Sequence, residues 1–233
     1  MISWWFFFQK YFHRPFTTRQ NIAYIRKKLH MTIEAKVRLV EGLFEQLDLE
    51  ISAFQNKTKL HCIAGCGHCC TNPSLEASPL EFLPWAFHIF LLGKAEDTLK
   101  ELNFKERHSV CHIFSPLNLI DSNMGRCSDY KYRGLICRLF GYAASRDKYG
   151  QQRLVTCKII KENQQQVYQD TNEAISKGLY VPMFTDYYMQ LNNIDFHFGN
   201  TIVPVNKALK LALEEVLQYY AYRPFPGGLE KIA

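Results

Sequence analysis

Between Met31 and Phe54 the apolar residues Ile33, Val37, Val40, Leu43, Phe44, Leu47, Ile51 and Phe54 recur at three- and four-residue steps. That spacing draws one stripe along an α-helix, so the segment reads as an amphipathic helix facing a core. Ser78-Pro79-Leu80-Glu81 then carries a helix start: a serine cap, proline in the first turn, and a glutamate placed to reach back to the cap. The helix it opens runs through Phe82 to Leu92 and stops at Gly93. A more polar helix is expected near Ala95–Glu106, with further polar helices at Lys161–Ser176 and Met183–Asn192. The stretch from Asn206 to Tyr220 places Leu209, Leu213, Val216, Leu217 and Tyr220 on one face.

The apolar runs are short between Cys111 and Cys127, where Asp121, Ser122, Asn123 and Gly125 interrupt them, which suits two short strands or an irregular loop. Cys137 falls in a short helical or turn segment, and Val155-Thr156-Cys157 leans toward β. Pro224, Pro226, Gly227 and Gly228 make a loose tail. No repeat and no low-complexity segment is visible. The fold class is therefore mainly α, with helices around an irregular cysteine-rich, metal-binding centre and at most a few short strands. Residues 31–233 read as a single domain, preceded by an arm over residues 1–30.

Charge modifies this picture only in the arm. The chain carries a net charge of +6, yet residues 1–30 alone hold Lys10, Arg14, Arg19, Arg26, Lys27 and Lys28 with no acidic residue. The body is formally neutral, which argues against nucleic acid as a partner. The apolar run Trp4–Phe8 is far shorter than the roughly 20 residues a membrane span needs, so an integral membrane protein is not expected. Aromatic and cationic residues together would suit peripheral membrane contact by the arm. The blander readings are that translation starts at Met31 or that the arm packs on the body.

The chemistry lies in the cysteines. All eight fall between residues 62 and 157: Cys62, Cys66, Cys69, Cys70, Cys111, Cys127, Cys137 and Cys157. Four of them form a C-x3-C-x2-C-C run with Gly65 and Gly67 inside it, a loop of the kind that wraps a metal. Closely spaced thiolates bind zinc or iron–sulfur centres at little cost in chain entropy. An even cysteine count also permits a disulfide framework. A chain of this length builds a core without staples, and no secretory signal is evident. A reducing, cytoplasmic setting and metal ligation are the expectation. Eight thiols exceed what one zinc accepts, and adjacent side chains diverge, so the vicinal pair seldom serves one small ion. Two mononuclear sites, a multinuclear cluster, or one site with spare thiols all remain open.

Two segments together resemble a known family. One is Cys62-x3-Cys66-Gly67-x-Cys69-Cys70 followed by Ser78-x-x-Glu81. The other is Gly125-Arg126-Cys127-Ser128-Asp129-Tyr130, continuing through Arg133 and Gly134 to Cys137-Arg138-Leu139-Phe140-Gly141. This pattern is similar to the YkgJ-type cysteine-cluster family, described as zinc- or iron-chelating and sometimes as Fe–S oxidoreductases. The resemblance covers residues 62–157, under half of the chain. It implies metal binding and leaves the activity undefined; the vicinal pair among eight clustered thiols and the nearby arginines place an iron–sulfur cluster slightly ahead of zinc. A related motif in flagellin lysine N-methylases makes a redox or protein-modifying enzyme one outlet, acting on an unknown protein or small-molecule partner. A structural zinc module with a partner-binding surface is the alternative. The family usually carries an apolar residue where Asp129 stands and proline where Gly134 stands, and Gly134 should loosen the turn before Cys137.

Arg133 and Arg138 are the expected cofactor-binding companions, since guanidinium groups offset the negative charge of a thiolate-bound centre and hydrogen-bond to sulfur. Arg126 is a weaker candidate. His61, His68, His108 and His112 flank cysteines, yet with eight thiols present none is needed as a ligand. Glu81 reads as the capping-box partner rather than an acid–base group, and Tyr130 as a core residue. No hydrolase nucleophile elbow, phosphate loop or nucleotide fingerprint stands out.

Overall fold

The computed structural model describes residues 31–63, 65–104, 110–117 and 124–226. The arm over residues 1–30, His108 and the end of the tail lie outside the described residues. From Ile33 onward the chain forms one compact unit, mainly helical among the described residues.

Helix α1 spans Ile33–Thr58, and the eight apolar positions of its stripe are all buried. Its periodicity carries the helix a turn beyond Phe54. It stops where Lys59 adopts a left-handed backbone, φ 61°, and the Lys59 N–H closes on the Gln55 carbonyl at 2.8 Å. That is an αL cap made without glycine. Leu60, directly after it, is fully buried.

After strand β1 (Glu76–Ala77), the Ser78 signal opens a 3-10 turn, Pro79–Phe82, which leads into helix α2 (Leu83–Leu91). The capping box forms: the Ser78 hydroxyl accepts from Leu80 N–H at 3.1 Å and the Glu81 carboxylate accepts from Ser78 N–H at 2.9 Å. Gly93, at φ 70°, ends α2 with Gly93 N–H on Phe90 O and Lys94 N–H on Ile89 O. Glycine, lacking a Cβ, takes that angle at no steric cost. Helix α3 covers Ala95–Phe104.

Strands β2 (Phe114–Pro116) and β3 (Gly125–Cys127) pair antiparallel, with Phe114 opposite Cys127. Helix α4 (Leu135–Leu139) carries Cys137. A second hairpin, β4 (Ala143–Arg146) with β5 (Gln152–Val155), turns through Asp147–Gly150. The Asp147 carboxylate accepts from Tyr149 and Gln151 N–H, an Asx-type turn. Helices α5 (Lys158–Asn163) and α6 (Gln165–Ser176) replace the single helix expected there, broken at Gln164. Helices α7 (Phe184–Ile194) and α8 (Phe196–Gly199), strand β6 (Val203–Pro204) and helix α9 (Val205–Tyr220) complete the fold. Strand β6 pairs antiparallel with β1.

Helix α9 packs on α2, α3 and the 3-10 turn, while α1 packs on α2 and α7. Their apolar faces make the main core, centred on Trp85, Phe82, Leu83, Leu209 and Leu213. A smaller core gathers Phe54, Leu60, Ala144, Leu154, Ile160, Ile175, Val181 and Met183. Each fully buried large aliphatic or aromatic side chain contributes about 1.5–3 kcal/mol. The cysteine-bearing segments touch both cores. Cys111 and Cys127 pack against the main one, and Cys157 against the smaller.

Candidate metal centre

The four-cysteine run is a chain of turns held from both sides. Cys66 pairs with Met124 as an isolated antiparallel bridge, and Gly125 N–H donates to Gly65 O at 2.9 Å. The loop thereby lies along β3, the strand that carries Cys127. A Cβ at Gly125 would sit 2.2 Å from the Phe114 ring, so close approach of β2 and β3 demands glycine here. Within the loop, Cys70 N–H returns to Gly67 O at 2.8 Å.

Two further tethers hold the ends of the run. Cys62 N–H donates to the Tyr142 hydroxyl at 2.8 Å, and the Gln164 amide accepts from His61 N–H and donates to His61 O. The break between α5 and α6 thus presents Gln164 to the start of the cysteine loop. At the other end, Cys111 N–H donates to Cys70 O at 3.0 Å. Asn206 of α9, itself buried, accepts from His112 N–H at 2.8 Å and donates to Val110 O at 3.0 Å, fixing the backbone on both sides of Cys111.

Cys137 is placed by Glu81. This carboxylate is fully buried, and besides capping its own turn it accepts from Ile136 N–H at 2.8 Å and from the Tyr188 hydroxyl at 3.0 Å. One side chain joins the 3-10 turn, α4 and α7. Burial pushes its carboxyl up to about 7, against hydrogen bonds from Ser78, Ile136 and Tyr188 that favour the ionised form. Gly134, the cap of α4, has φ −62°, an angle that any residue or proline adopts. A Cβ there would lie 2.8 Å from Phe82 Cζ and 3.0 Å from Glu81 Oε2. The glycine therefore serves close packing.

Arg138 is buried and lies over the Phe44 ring, 4.4 Å from its centroid. Its guanidinium donates to Asp48, to Arg133 O and to Lys131 O. Arg133 donates to the same Asp48 at 3.1 Å and to Tyr130 O. The hydrogen bonds of both arginines go to oxygen. Their positive charges nevertheless reach Cys127 and oppose the burial that raises its thiol. Tyr130, expected in the core, is 64% exposed, with the Arg133 guanidinium over its ring. The tyrosine that meets the cysteine loop is Tyr142.

All eight cysteines are free thiols; Cys62 is exposed and the rest are partly buried. Burial is the main reason that the Cys69 and Cys70 thiols are each pushed up to about 12. The neighbouring sulfurs add to this in different ways. Cys69 feels Cys62 and Cys157 most, then Cys70 and Cys66. Cys70 feels Cys111 and Cys127 most, then Cys66 and Cys62. Burial raises Cys62, aided by Cys66 and then Cys157. Burial raises Cys137 well above the thiol range, aided by Cys111, Glu81, Cys70 and Cys127. Like charges this close disfavour ionisation, and a bound cation would reverse the sign of that effect.

The structure thus brings the sequence-expected thiols from separate segments into electrostatic reach. Among the described residues, no group of three or more Cys, His, Asp or Glu side chains meets in an arrangement that would hold a metal ion. The donor set itself suits soft, thiolate-bound metals. His61 turns its Nδ1 to Lys59 O, and His112 Nε2 lies 3.7 Å from Glu101. Tyr142, Gln164, Asn206 and Asp48 escaped sequence reasoning because each acts from a distant part of the chain. Comparison with protein-family models, with curated proteins and with solved structures finds no match. The likeness to the YkgJ-type family therefore rests on the two motif segments.

Proposed function

We propose that this chain is a metal-binding protein whose eight cysteine thiolates hold an iron–sulfur centre or zinc. The observation that carries the reading is the assembly of eight free thiols, drawn from five separated segments, into one neighbourhood. Burial and mutual repulsion keep these thiols protonated, and a cation that accepts them as thiolates reverses that preference as it binds. Arg133 and Arg138 supply positive charge beside Cys127, which suits an anionic thiolate-bound centre. An iron–sulfur cluster, when bound, would supply one-electron redox chemistry. The protein residues hold and bury it: Glu81 positions Cys137, Tyr142 holds Cys62, and Asn206 holds the segment around Cys111. A redox or protein-modifying role on a protein or small-molecule partner follows from this reading. Free thiols suit a reducing, cytoplasmic setting, and among the described residues no helix is long and apolar enough to cross a membrane.

The second reading, a structural zinc module, is favoured by one feature. Cys111 and Cys127 pack on one core and Cys157 on the other, so a metal between them would lock the two together. Anaerobic purification with iron, sulfide and zinc analysis and an optical spectrum separates the readings. Brown protein with acid-labile sulfide, bleached by air and weakened by serine at Cys66, Cys69 or Cys137, supports iron–sulfur. Colourless, air-stable protein with stoichiometric zinc supports the structural reading. Protein that takes up neither after reconstitution sinks both.

A further inference from the structure

Helices α2, α3 and α9, together with the segment that follows α9, line a cavity of about 420 Å³, within the size range of small-ligand sites. Its apolar wall is Phe90, Leu217, Tyr220 and Phe225. The rings form a continuous stack, with Phe225 on Phe90 at 5.2 Å and Phe90 on Tyr220 at 4.7 Å between centroids. The Tyr220 hydroxyl is taken by Glu34 of α1, so Tyr220 offers the cavity its ring. A Cβ at Gly93, on the cavity edge, would meet nothing within 4 Å. The cavity lies away from the cysteines. Asn206, which holds the backbone beside Cys111, stands near the start of α9 and Tyr220 at its end, roughly 20 Å apart at the helical rise.

Two opposite charges line this cavity without neutralising each other. The Arg223 guanidinium lies over the Tyr219 ring, 4.1 Å from its centroid, and donates one N–H to Tyr219 O at 2.7 Å. A guanidinium has five such donors, so most of its capacity is left. Glu96 and Asp97 stand in the first turn of α3. Asp97 is committed to Lys100 at 2.9 Å. Among the described residues, neither Glu96 nor Arg223 forms an ion pair, although both line the cavity. Both are exposed, whereas Phe90, Leu217 and Phe225 are half-buried and Tyr220 is buried. The charges therefore stand at the rim and the apolar surface lies deeper.

We propose that this cavity binds a small zwitterion with one apolar side chain: a free α-amino acid of the aromatic or branched aliphatic kind. Its carboxylate pairs with Arg223, whose planar fork suits that group. Its ammonium pairs with Glu96, and its side chain lies against Phe90, Leu217 and Phe225. Ligands of one sign fit less well. Phosphates and other anions are opposed by Glu96 and Asp97, and simple amines by Arg223. A neutral apolar molecule would shield both charges from water and pair neither. A zwitterion satisfies both charges and the apolar wall at once. This site is separate from the metal centre and goes beyond the function proposed above.

The test is isothermal titration calorimetry on the full chain, reduced and at constant metal content, with L-phenylalanine and L-leucine as probes. Each should bind saturably, one per chain, and glycine should not. Two analogues remove one charge at a time: 3-phenylpropionate lacks the ammonium and phenethylamine lacks the carboxylate. Each should bind at least about fivefold more weakly than phenylalanine, the scale of one exposed ion pair. Glu96→Gln should erase the difference between phenylalanine and 3-phenylpropionate, and Arg223→Gln the difference between phenylalanine and phenethylamine. Both positions are exposed, so these variants keep the fold. Phe225→Ala, beyond the last helix, should weaken phenylalanine about fivefold through the lost ring contact. Absence of saturable binding by either amino acid would overturn the proposal. So would an analogue that binds as tightly as phenylalanine, or phenylalanine binding unchanged in all three variants. Because the cavity and the cysteines are tied to opposite ends of α9, none of these results bears on metal binding.

Discussion

Replacing Glu81 with alanine tests whether one carboxylate holds the cysteine-bearing helix α4 in place. The substitution deprives Ser78 N–H, Ile136 N–H and the Tyr188 hydroxyl of their shared acceptor in a fully buried position. Each buried donor left without a partner costs about 1–3 kcal/mol, and the lost capping box is worth about 1 kcal/mol. Removing a carboxylate whose burial raises its pKa returns part of this, because the ionised group was itself poorly solvated. The net expected loss is about 2–4 kcal/mol, measured by urea denaturation followed by far-UV circular dichroism on reduced protein at matched metal content. In a chain of this length each kcal/mol lowers Tm by roughly 2–4 °C. Glu81→Gln keeps the shape and one accepting oxygen, yet turns its NH₂ toward a backbone donor, so it should cost less than alanine but remain clearly destabilising. The alanine variant should also make Cys137 more reactive toward alkylating reagents than Cys62 is in the same sample, relative to wild type. A loss of stability below about 0.5 kcal/mol, the range of ordinary surface changes, with unchanged Cys137 reactivity would refute the keystone role.

Asp48→Ala leaves the buried Arg138 guanidinium without its carboxylate. Asp48 itself is 43% exposed, so the cost should fall at or below the lower end of the usual range for a broken buried pair, about 2–3 kcal/mol by chemical denaturation. Parity with wild type would show that the backbone carbonyls alone satisfy Arg138. Gly134→Ala should cost about 1–3 kcal/mol through the contact with Phe82, and pairing it with Phe82→Leu should recover part of the loss; equal penalties in both backgrounds would refute the steric explanation. Asp195 tests the pH dependence. Burial acts to raise its carboxyl, but Lys36 at 2.7 Å and the Phe198 N–H outweigh it and hold the pKa below the usual aspartate range. A depressed acid stabilises the fold above its unfolded pKa, and that contribution disappears as pH falls through the lower, folded value. Asp195→Asn should therefore lose stability at neutral pH and show a shallower decline on acidification than wild type, in melts taken at stepped pH. Parallel wild-type and variant profiles would count against the linkage.

The local rules carried much of the fold. The stripe on α1 named the eight residues that are buried, because a 3.6-residue period leaves a helix one way to hide them. Ser78, Pro79 and Glu81 marked a helix start and Gly93 a helix stop, since capping is a matter of neighbours within a turn or two. The cysteine run announced its chemistry by residue type alone. Other features depended on packing. The break at Gln164 coincides with a clasp on His61, more than a hundred residues away, and no local spacing encodes such a partner. That Gly134 leaves space for the Phe82 ring is not visible from its neighbours in sequence. Tyr130, expected in the core, is exposed, because exposure depends on which face the assembled cores cover. The sequence by itself determined which thiols are present and which helices form around them. Only the tertiary structure decided how the cysteine segments are held: residue types are local properties, whereas the Gln164 clasp on His61, the Tyr142 hydroxyl on Cys62 N–H and the Asn206 bonds around Cys111 join residues far apart in the chain.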